Sequence, residues 1–453
     1  QGTEQQQTCY RLRNRKAYWQ ATILASTLVL SWLTAGVPLT WGESGPPASP
    51  IDLPNHSSCA QHASFLDEAV ASLVAKGAVA VAKVTPYVIS PLAVIERRGK
   101  LRMVLDLSRL NSHLAPPPKF TYETIKDAGT VFQPGDWMFS VDLESAYHHV
   151  DMHPSAWRYL GFRWRGQTYV FKVLPFGLSW ACWHFTKITR ELAGYFRSQG
   201  IRLLHYLDDF GFAVEPDAQG GSSHCHAVRQ RVLGIIANCG FQVQPAKLSP
   251  PAQRLTLLGF QIDAVVGRLS ASAVRAREVA EAAQAALAAG ARAPARLLAR
   301  VAGQVASLRP ALGHAAGVNT RSISACLPDT KAGWRRRVAV SEEAQADLHF
   351  WATSMAEVDG QPLWPSTRVD TLFYSDAGAA GWGGHNKVRP DGGTDEARGQ
   401  FGEQEQAASS TLREAWALER NLLSLPDLAG RRIRAVVDNM GLEWAWLKGS
   451  RKA

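Results

Sequence analysis

The chain is poor in cysteine, has no CxxC pair, shows no internal repeat, and lacks any uninterrupted apolar run of membrane length. Its six cysteines (Cys9, Cys59, Cys182, Cys225, Cys239 and Cys326) are too scattered for a disulfide framework. They read as reduced thiols, so a cytoplasmic or nuclear location is expected rather than a secreted one. His224-Cys225-His226 with Cys239 could be drawn as a zinc site, but neighbouring residues of one segment rarely converge on one ion, and zinc is not expected. The stretch "AYWQATILASTLVLSWLTAG" (17–36) is the one membrane candidate. Gln20, Thr22, Ser26, Thr27, Ser31 and Thr34 make it too polar to span, so a buried helix and no membrane partner are expected. The first residue is Gln rather than Met, which leaves a signal peptide unreadable.

With 46% hydrophobic and 19% charged residues in 453, the composition is that of a globular chain of two or three domains. The net charge of +10 favours a polyanionic partner. Most of it is local: residues 270–340 hold eleven Lys/Arg and three Asp/Glu, a net +8.

Residues 1–60 read as a helical extension ending in the Pro/Ser-rich linker "ESGPPASPIDLPNHSS" (43–58). A helix follows at 63–77, then strand-like runs "YVISPLAVIER" and "KLRMVLDLS" joined by a basic turn. Further on come the strand "WMFSVDL", the helical turn "ESAYHHV", the strand "QTYVFKVL", a helix at 179–200, a hairpin around 205–212 and another helix ending at Gly240. Residues 270–325 are Ala/Arg-rich and helical. Past Pro362 and Pro365 a new strand, a glycine-rich hairpin, a helix from Thr411 and a strand at 432–440 are expected. The irregular mixture points to an α+β fold rather than alternating βαβ units.

Within "HYLDDFGF", Asp208 and Asp209 stand side by side among strand formers. Ionised carboxylates there repel each other and resist desolvation. Asp142 ends the strand "MFSVD", 66 residues earlier. A strand end and a hairpin could bring the three acids together on a sheet, where a divalent cation would lower their pKa values and satisfy their oxygens. An all-carboxylate set suits Mg²⁺, or Mn²⁺, better than zinc. The plain alternative is that Asp208-Asp209 forms only a turn.

"YLDD" in this setting resembles the motif of reverse transcriptases, and other blocks follow in that family's order: "GKLRMVLDLSRLN" (99–111), "SVDLESAY", "LPFGLSWACWHF" and "LTLLGFQID". The resemblance implies a right-hand polymerase with fingers and palm over 61–263 and a basic helical thumb and connection over 264–365. By position, Asp142 and Asp208 would hold two metals, with Asp209 in support. Arg102, helped by Lys100 or Arg98, would grip a deoxynucleoside triphosphate. Tyr147 would stand against the sugar 2′ position, or serve simply as a core aromatic. Phe176 stands where viral members carry a polar residue and many retrotransposon enzymes carry Phe. Gly177 would let the backbone approach the template. Lys247 is by default an exposed lysine, and alternatively a proton donor to pyrophosphate. The basic block would clamp a template–primer duplex through phosphate contacts, and "WRRR" (334–337) could double as a nuclear signal.

A second set of acids lies in 366–453: Asp376 at a strand end, Glu414 in the first turn of a helix and Asp438 at another strand end. Strand Asp, helix Glu, strand Asp resembles ribonuclease H, which implies two Mg²⁺ and an RNA–DNA hybrid. Thr411-x-x-Glu414 also fits a capping box, a rival account of Glu414. That family supplies a further acidic or histidine ligand on a later helix, and only 15 residues follow Asp438 here. A C-terminally incomplete domain of doubtful nuclease activity is therefore expected. The phrases "VLSWLTAGVPLTW", "SDAGAAGWGG", "SSTLREAWAL" and "VVDN" resemble the polyproteins of DIRS-type retrotransposons, within the wider Gypsy-like group. A non-catalytic nucleic-acid-binding remnant is the competing expectation. Oligomeric state leaves no signal in the sequence.

Overall fold

The computed structural model describes residues 12–97, 99–330, 333–364, 371–386, 395–424 and 433–448. Arg98 and Pro365 lie outside the described residues. The chain divides into two compact units at the Leu257–Leu258 bond.

In the first unit the 17–36 stretch is not one helix. A π-turn, Trp19–Ile23, ends at Leu24 in the left-handed region (φ +58°), and the Ser26 hydroxyl then accepts from the Val29 amide to start α1 (Thr27–Ala35). A serine that caps is a helix-start signal, which is why a continuous helix fails here. Trp19 and Leu33 are buried, and the Trp19 indole donates to the Cys239 carbonyl. Among the described residues no helix is long and apolar enough to cross a membrane. The Pro/Ser-rich stretch is more than a linker, because Ile51–Asp52 pairs in parallel with Val88–Ile89.

Helix α2 (Ala63–Ala75) buries Leu66 and Val70 and gives way at Gly77, φ +63°. Beyond Pro91, β1 (Leu92–Arg97) and β2 (Lys100–Leu105) form an antiparallel hairpin. The centre of the unit is a sheet of β3 (Trp137–Asp142), β4 (Arg202–Tyr206) and β5 (Asp209–Val214), ordered β3–β5–β4 and antiparallel throughout. Helix α3 (Ala181–Ser198) precedes β4, and α4 (Ser223–Asn238) follows β5.

Two-residue alternation sorts the two faces of this sheet. Val141, Phe139, Phe210 and Phe212 point into the core. Phe139 stacks on Phe212 at 4.8 Å, and Phe196 of α3 meets Phe212 edge-on. Each such ring contributes about 1.5–3 kcal/mol on burial. Asp142, Ser140, Asp209 and Gly211 share the opposite face. Gly211 makes room for a close approach: a Cβ there would stand 2.3 Å from the Leu257 side chain, which would have to turn aside. The salt bridge from Arg202 to buried Asp136, 2.6 Å, anchors the start of β4.

The second unit opens with the hairpin β6 (Phe260–Asp263) and β7 (Arg268–Ala271). Helices α5 (Ala273–Ala288), α6 (Ala295–Ser307) and α7 (Glu342–Thr353) follow, packed through small residues such as Ala283, Ala286 and Ala302. The helical reading of 270–325 missed a ribbon: Arg292–Pro294 pairs with Arg337–Ala339, and the Arg337 guanidinium donates to the Ala289 carbonyl. This pairing joins segments some 45 residues apart, so no local periodicity announces it.

A four-stranded sheet completes the unit, with β8 (Thr371–Ala377), β9 (Gly381–Asn386), β10 (Asp395–Gln400) and β11 (Ile433–Val436) in the order β10–β9–β8–β11. The β8–β11 pair is parallel, as a connection through α8 (Ser410–Ser424) requires, and α9 (Met440–Lys448) follows.

Candidate active sites

The first acidic cluster comes from register. Asp142 is the last residue of β3 and Asp209 the first of β5, and the two are direct cross-strand partners. Between β4 and β5 the turn carries Asp208, whose carbonyl accepts from the Leu143 amide at 3.2 Å. Leu207 sits there at φ +54°, a conformation costing about 1 kcal/mol or more for a side-chain-bearing residue. Two adjacent carboxylates and a third 66 residues earlier thus meet at one end of one sheet.

Their electrostatics follow from crowding. Burial pushes Asp209 up to about 7, aided by Asp208 and Asp142, while Lys247 opposes. Asp208 is also raised, by burial and then by Asp142. The Lys247 ammonium donates to Asp142 Oδ2 at 2.6 Å, which raises the lysine's own pKa. Lys247 is thus an exposed lysine along its stem, with its head on a member of the cluster. An all-carboxylate donor set with mutual repulsion fits a hard divalent cation.

Tyr147 is brought near this cluster: it is buried, and Asp208 is among the charges that raise its phenol. Phe176 is exposed and lies against Tyr147, 4.7 Å between ring centres. Gly177 adopts φ +90°, and a Cβ there would lie 3.1 Å from the Leu105 carbonyl. Lys100 and Arg102 stand exposed, two residues apart on one face of β2.

Two further residues escaped the sequence reading. Asn111 clamps the turn that holds Phe176 and Gly177: its Nδ2 donates to the Gly177 carbonyl and its Oδ1 accepts from the Ser179 amide. His205, buried and packed against Phe210 at a tilt, lies with Nε2 2.9 Å from the carbonyl of Leu207, at the strained turn. An amide or imidazole beside a motif was the available signal, but its partner depends on the fold. On α4, Cys225 is buried whereas His224 and His226 face solvent, so these residues diverge rather than gather.

The second cluster is tighter. Among the described residues, only Asp376, Glu414 and Asp438 bring three His, Cys, Asp or Glu ligand atoms within 4.8 Å of one another. Asp376 lies near the end of β8, Asp438 just beyond β11, and Glu414 in the second turn of α8. The capping-box account of Glu414 fails. Ser409 caps the helix by accepting from the Leu412 amide, and Thr411 turns to Asn439 instead. Glu414 Oε1 accepts from the Ala377 amide at 3.2 Å, while buried Oε2 has no hydrogen-bond partner. Burial raises the Glu414 carboxyl, and Asp376 and Asp438 add to the effect. An orphaned buried carboxylate oxygen facing two more acids fits a divalent cation.

Beside these acids lies a cavity of about 400 Å³, lined by Tyr374, Gly383, His385 and Asp438 among others. Asn421 of α8 ties the helix to this floor through the Ser375 hydroxyl and the Gly383 carbonyl. Gly384 admits that contact, since a Cβ there would stand 2.5 Å from Asn421.

Residues 94–262 match the family described as reverse transcriptase (RNA-dependent DNA polymerase). The chain is 25% identical over 167 residues to the Transposon Tf2-3 polyprotein of Schizosaccharomyces pombe, covering 37% of this chain and 12% of the polyprotein. It is 23% identical over 166 residues to Protein P of duck hepatitis B virus, covering 36% of this chain and 19% of that protein. The chain therefore spans under a fifth of the length of these relatives. Among solved structures it is similar to the foamy viral protease-reverse transcriptase bound to double-stranded DNA, at TM-score 0.60 and 14% identity, over 98% of this chain and 78% of that one. The same enzyme with an RNA/DNA hybrid gives TM-score 0.59 and 14% identity, over 98% and 60%. The fold is that of a right-hand polymerase.

Proposed function

With residues 94–262 a reverse transcriptase domain of the kind carried by retrotransposon and retroviral polyproteins, we propose that the chain is an RNA-directed DNA polymerase that extends a primer with deoxynucleoside triphosphates. The observation that carries this reading is the cross-strand pairing of Asp142 with Asp209 beside Asp208. Asp142 and Asp208 would hold Mg²⁺, or Mn²⁺, with Asp209 in support. Bound there, the cations would neutralise charge at the transferring phosphoryl group and activate the primer 3′-hydroxyl.

The chain's own residues do the rest. Lys100 and Arg102 present positive charge to the triphosphate. The Tyr147 ring meets the sugar, and Phe176 and Gly177 lie along the template. Lys247, which rests on Asp142, would give a proton to the departing pyrophosphate once drawn off that carboxylate. The basic 270–340 block grips a template–primer duplex, and binding there should weaken steeply with salt.

Primer extension tests the reading. Activity lost in Asp208→Asn with template binding retained supports it. Salt-sensitive binding without extension at any Mg²⁺ or Mn²⁺ level would favour a non-catalytic remnant.

For the second unit we infer a ribonuclease H-like centre acting on the RNA strand of an RNA–DNA hybrid. It rests on the orphaned Glu414 oxygen between Asp376 and Asp438. Loss of hybrid cleavage in Asp438→Asn, with extension unchanged, is the expected result. Membership of the DIRS-type elements, and action in the cytoplasm or nucleus, belong to the same proposal. A tyrosine recombinase encoded in the same element would test the former, and imaging of tagged protein the latter.

A further inference from the structure

Tyr147 is held on three sides. Its ring lies between Phe176, 4.7 Å away, and Phe185, 5.1 Å away and nearly perpendicular. Its hydroxyl stands 3.2 Å from the Sγ of Cys182, in the first turn of α3. Tyr122 lies near the same sulfur, which adds to burial in raising its phenol. Tyr122 in turn packs on Tyr206, 4.9 Å between centres, two residues before Asp208. One thiol therefore bonds the Tyr147 phenol and lies near a second phenol from a separate segment. A hydrogen bond at the tip of a ring restricts sliding and tilting that flanking aromatic contacts alone leave open.

We propose that Cys182 is a positioning residue for sugar selection: its bond to the Tyr147 hydroxyl fixes that ring in the orientation at which it excludes a ribonucleotide 2′-hydroxyl. The inference rests on the polymerase reading above and deepens it. A ring free to shift admits the extra oxygen, whereas a pinned ring meets it as a steric wall. Deoxynucleotides, with only hydrogen at that position, feel the difference little.

The test compares wild type, C182A, C182S, Y147F and the double variant C182A/Y147F in single-nucleotide primer extension, with kcat and KM measured for matched ribo- and deoxynucleoside triphosphates. C182A should raise the ribo-to-deoxy ratio of kcat/KM about three- to ten-fold, the size of one neutral hydrogen bond, mainly through the ribonucleotide KM. C182S, which keeps a donor and acceptor, should recover most of the selectivity. Y147F should shift the ratio similarly, and the double variant no further than either single one. An unchanged ratio in an active C182A enzyme, or additive shifts in the double variant, would overturn the proposal while leaving the polymerase reading intact.

A wild-type chain that extends no primer would overturn both together. The bond itself has an independent readout, iodoacetamide alkylation of Cys182 followed by peptide mass spectrometry. Y147F should change its rate several-fold relative to Cys326, and an unchanged rate would show that no such bond exists.

Discussion

At the first acidic cluster a lysine head group rests on Asp142, so part of the negative charge is answered from within the chain. At the second, no lysine or arginine among the described residues is ion-paired with Asp376, Glu414 or Asp438, and a buried oxygen of Glu414 is left unpartnered. Both clusters gather carboxylates at the ends of sheet strands, the second with one acid from a helix, yet only one carries its own counter-charge. Such a centre tolerates an empty state better than one without it, because unpaired buried charge costs more than a paired one. The second centre should therefore depend more steeply on an external cation for its stability as well as its chemistry.

The largest expected effect tests whether the two clusters act independently. Asp208→Asn should lower primer extension at least about 1,000-fold, because the proposed polymerase centre loses one of the carboxylates assigned to hold metal. Glu414→Gln should leave extension within two-fold. A loss of extension in Glu414→Gln would break the comparison.

Next in size is a pH effect confined to the first unit. Burial holds His149, His184 and His205 at about 4, well below an ordinary imidazole. A depressed histidine stabilises the fold above its unfolded pKa, near 6.5, and that stability is lost as pH falls toward 4, by up to about 3 kcal/mol for each. Denaturant unfolding at pH 7 and pH 4.5 measures it. His184 sits among Trp32, Trp180 and Trp183 with neither ring nitrogen hydrogen-bonded. His184→Leu should thus gain about 1 kcal/mol at pH 7 and more at pH 4.5.

The raised carboxyls work in the opposite sense. Asp209 and Glu414 favour the fold at low pH, and that contribution fades as pH rises through their folded pKa values. In metal-free buffer near pH 8, Glu414→Gln should stabilise the second unit by about 1 kcal/mol and abolish its stabilisation by Mg²⁺, read as hydrogen exchange over 410–424. Exchange that slows equally with Mg²⁺ in wild type and Glu414→Gln would contradict this.

The smallest effect sharpens the contrast at the first centre. Lys247→Met removes the resident cation, so Mn²⁺ should bind there about two- to five-fold more tightly, measured by electron paramagnetic resonance of the free ion. Unchanged affinity would mean that the lysine does not compete with the metal.

What could be read from sequence alone follows the range of the interactions involved. Strand ends bearing Asp142, Asp376 and Asp438, and the helices at 63–75 and 181–198, announce themselves through local periodicity. The break at Leu24 is hidden because the polar residues around it do not interrupt a helical pattern, and only Ser26 marks it. Ser409, rather than Thr411, caps α8 because Asn439, 28 residues beyond Thr411, claims the threonine hydroxyl. The Arg292–Pro294 ribbon, the Asn111 clamp and the Lys247–Asp142 pair all depend on partners far along the chain. Residue types were legible at each of these positions, but their partners were not.

The contact between Gly211 and Leu257 has a consequence for how this domain changes over generations. A side chain at 211 would press on the leucine opposite, so enlarging one position favours shrinking or turning the other. Drift at these two sites should be coupled: lineages with alanine or serine at 211 should carry a smaller residue at 257, a covariation visible in any deep set of relatives.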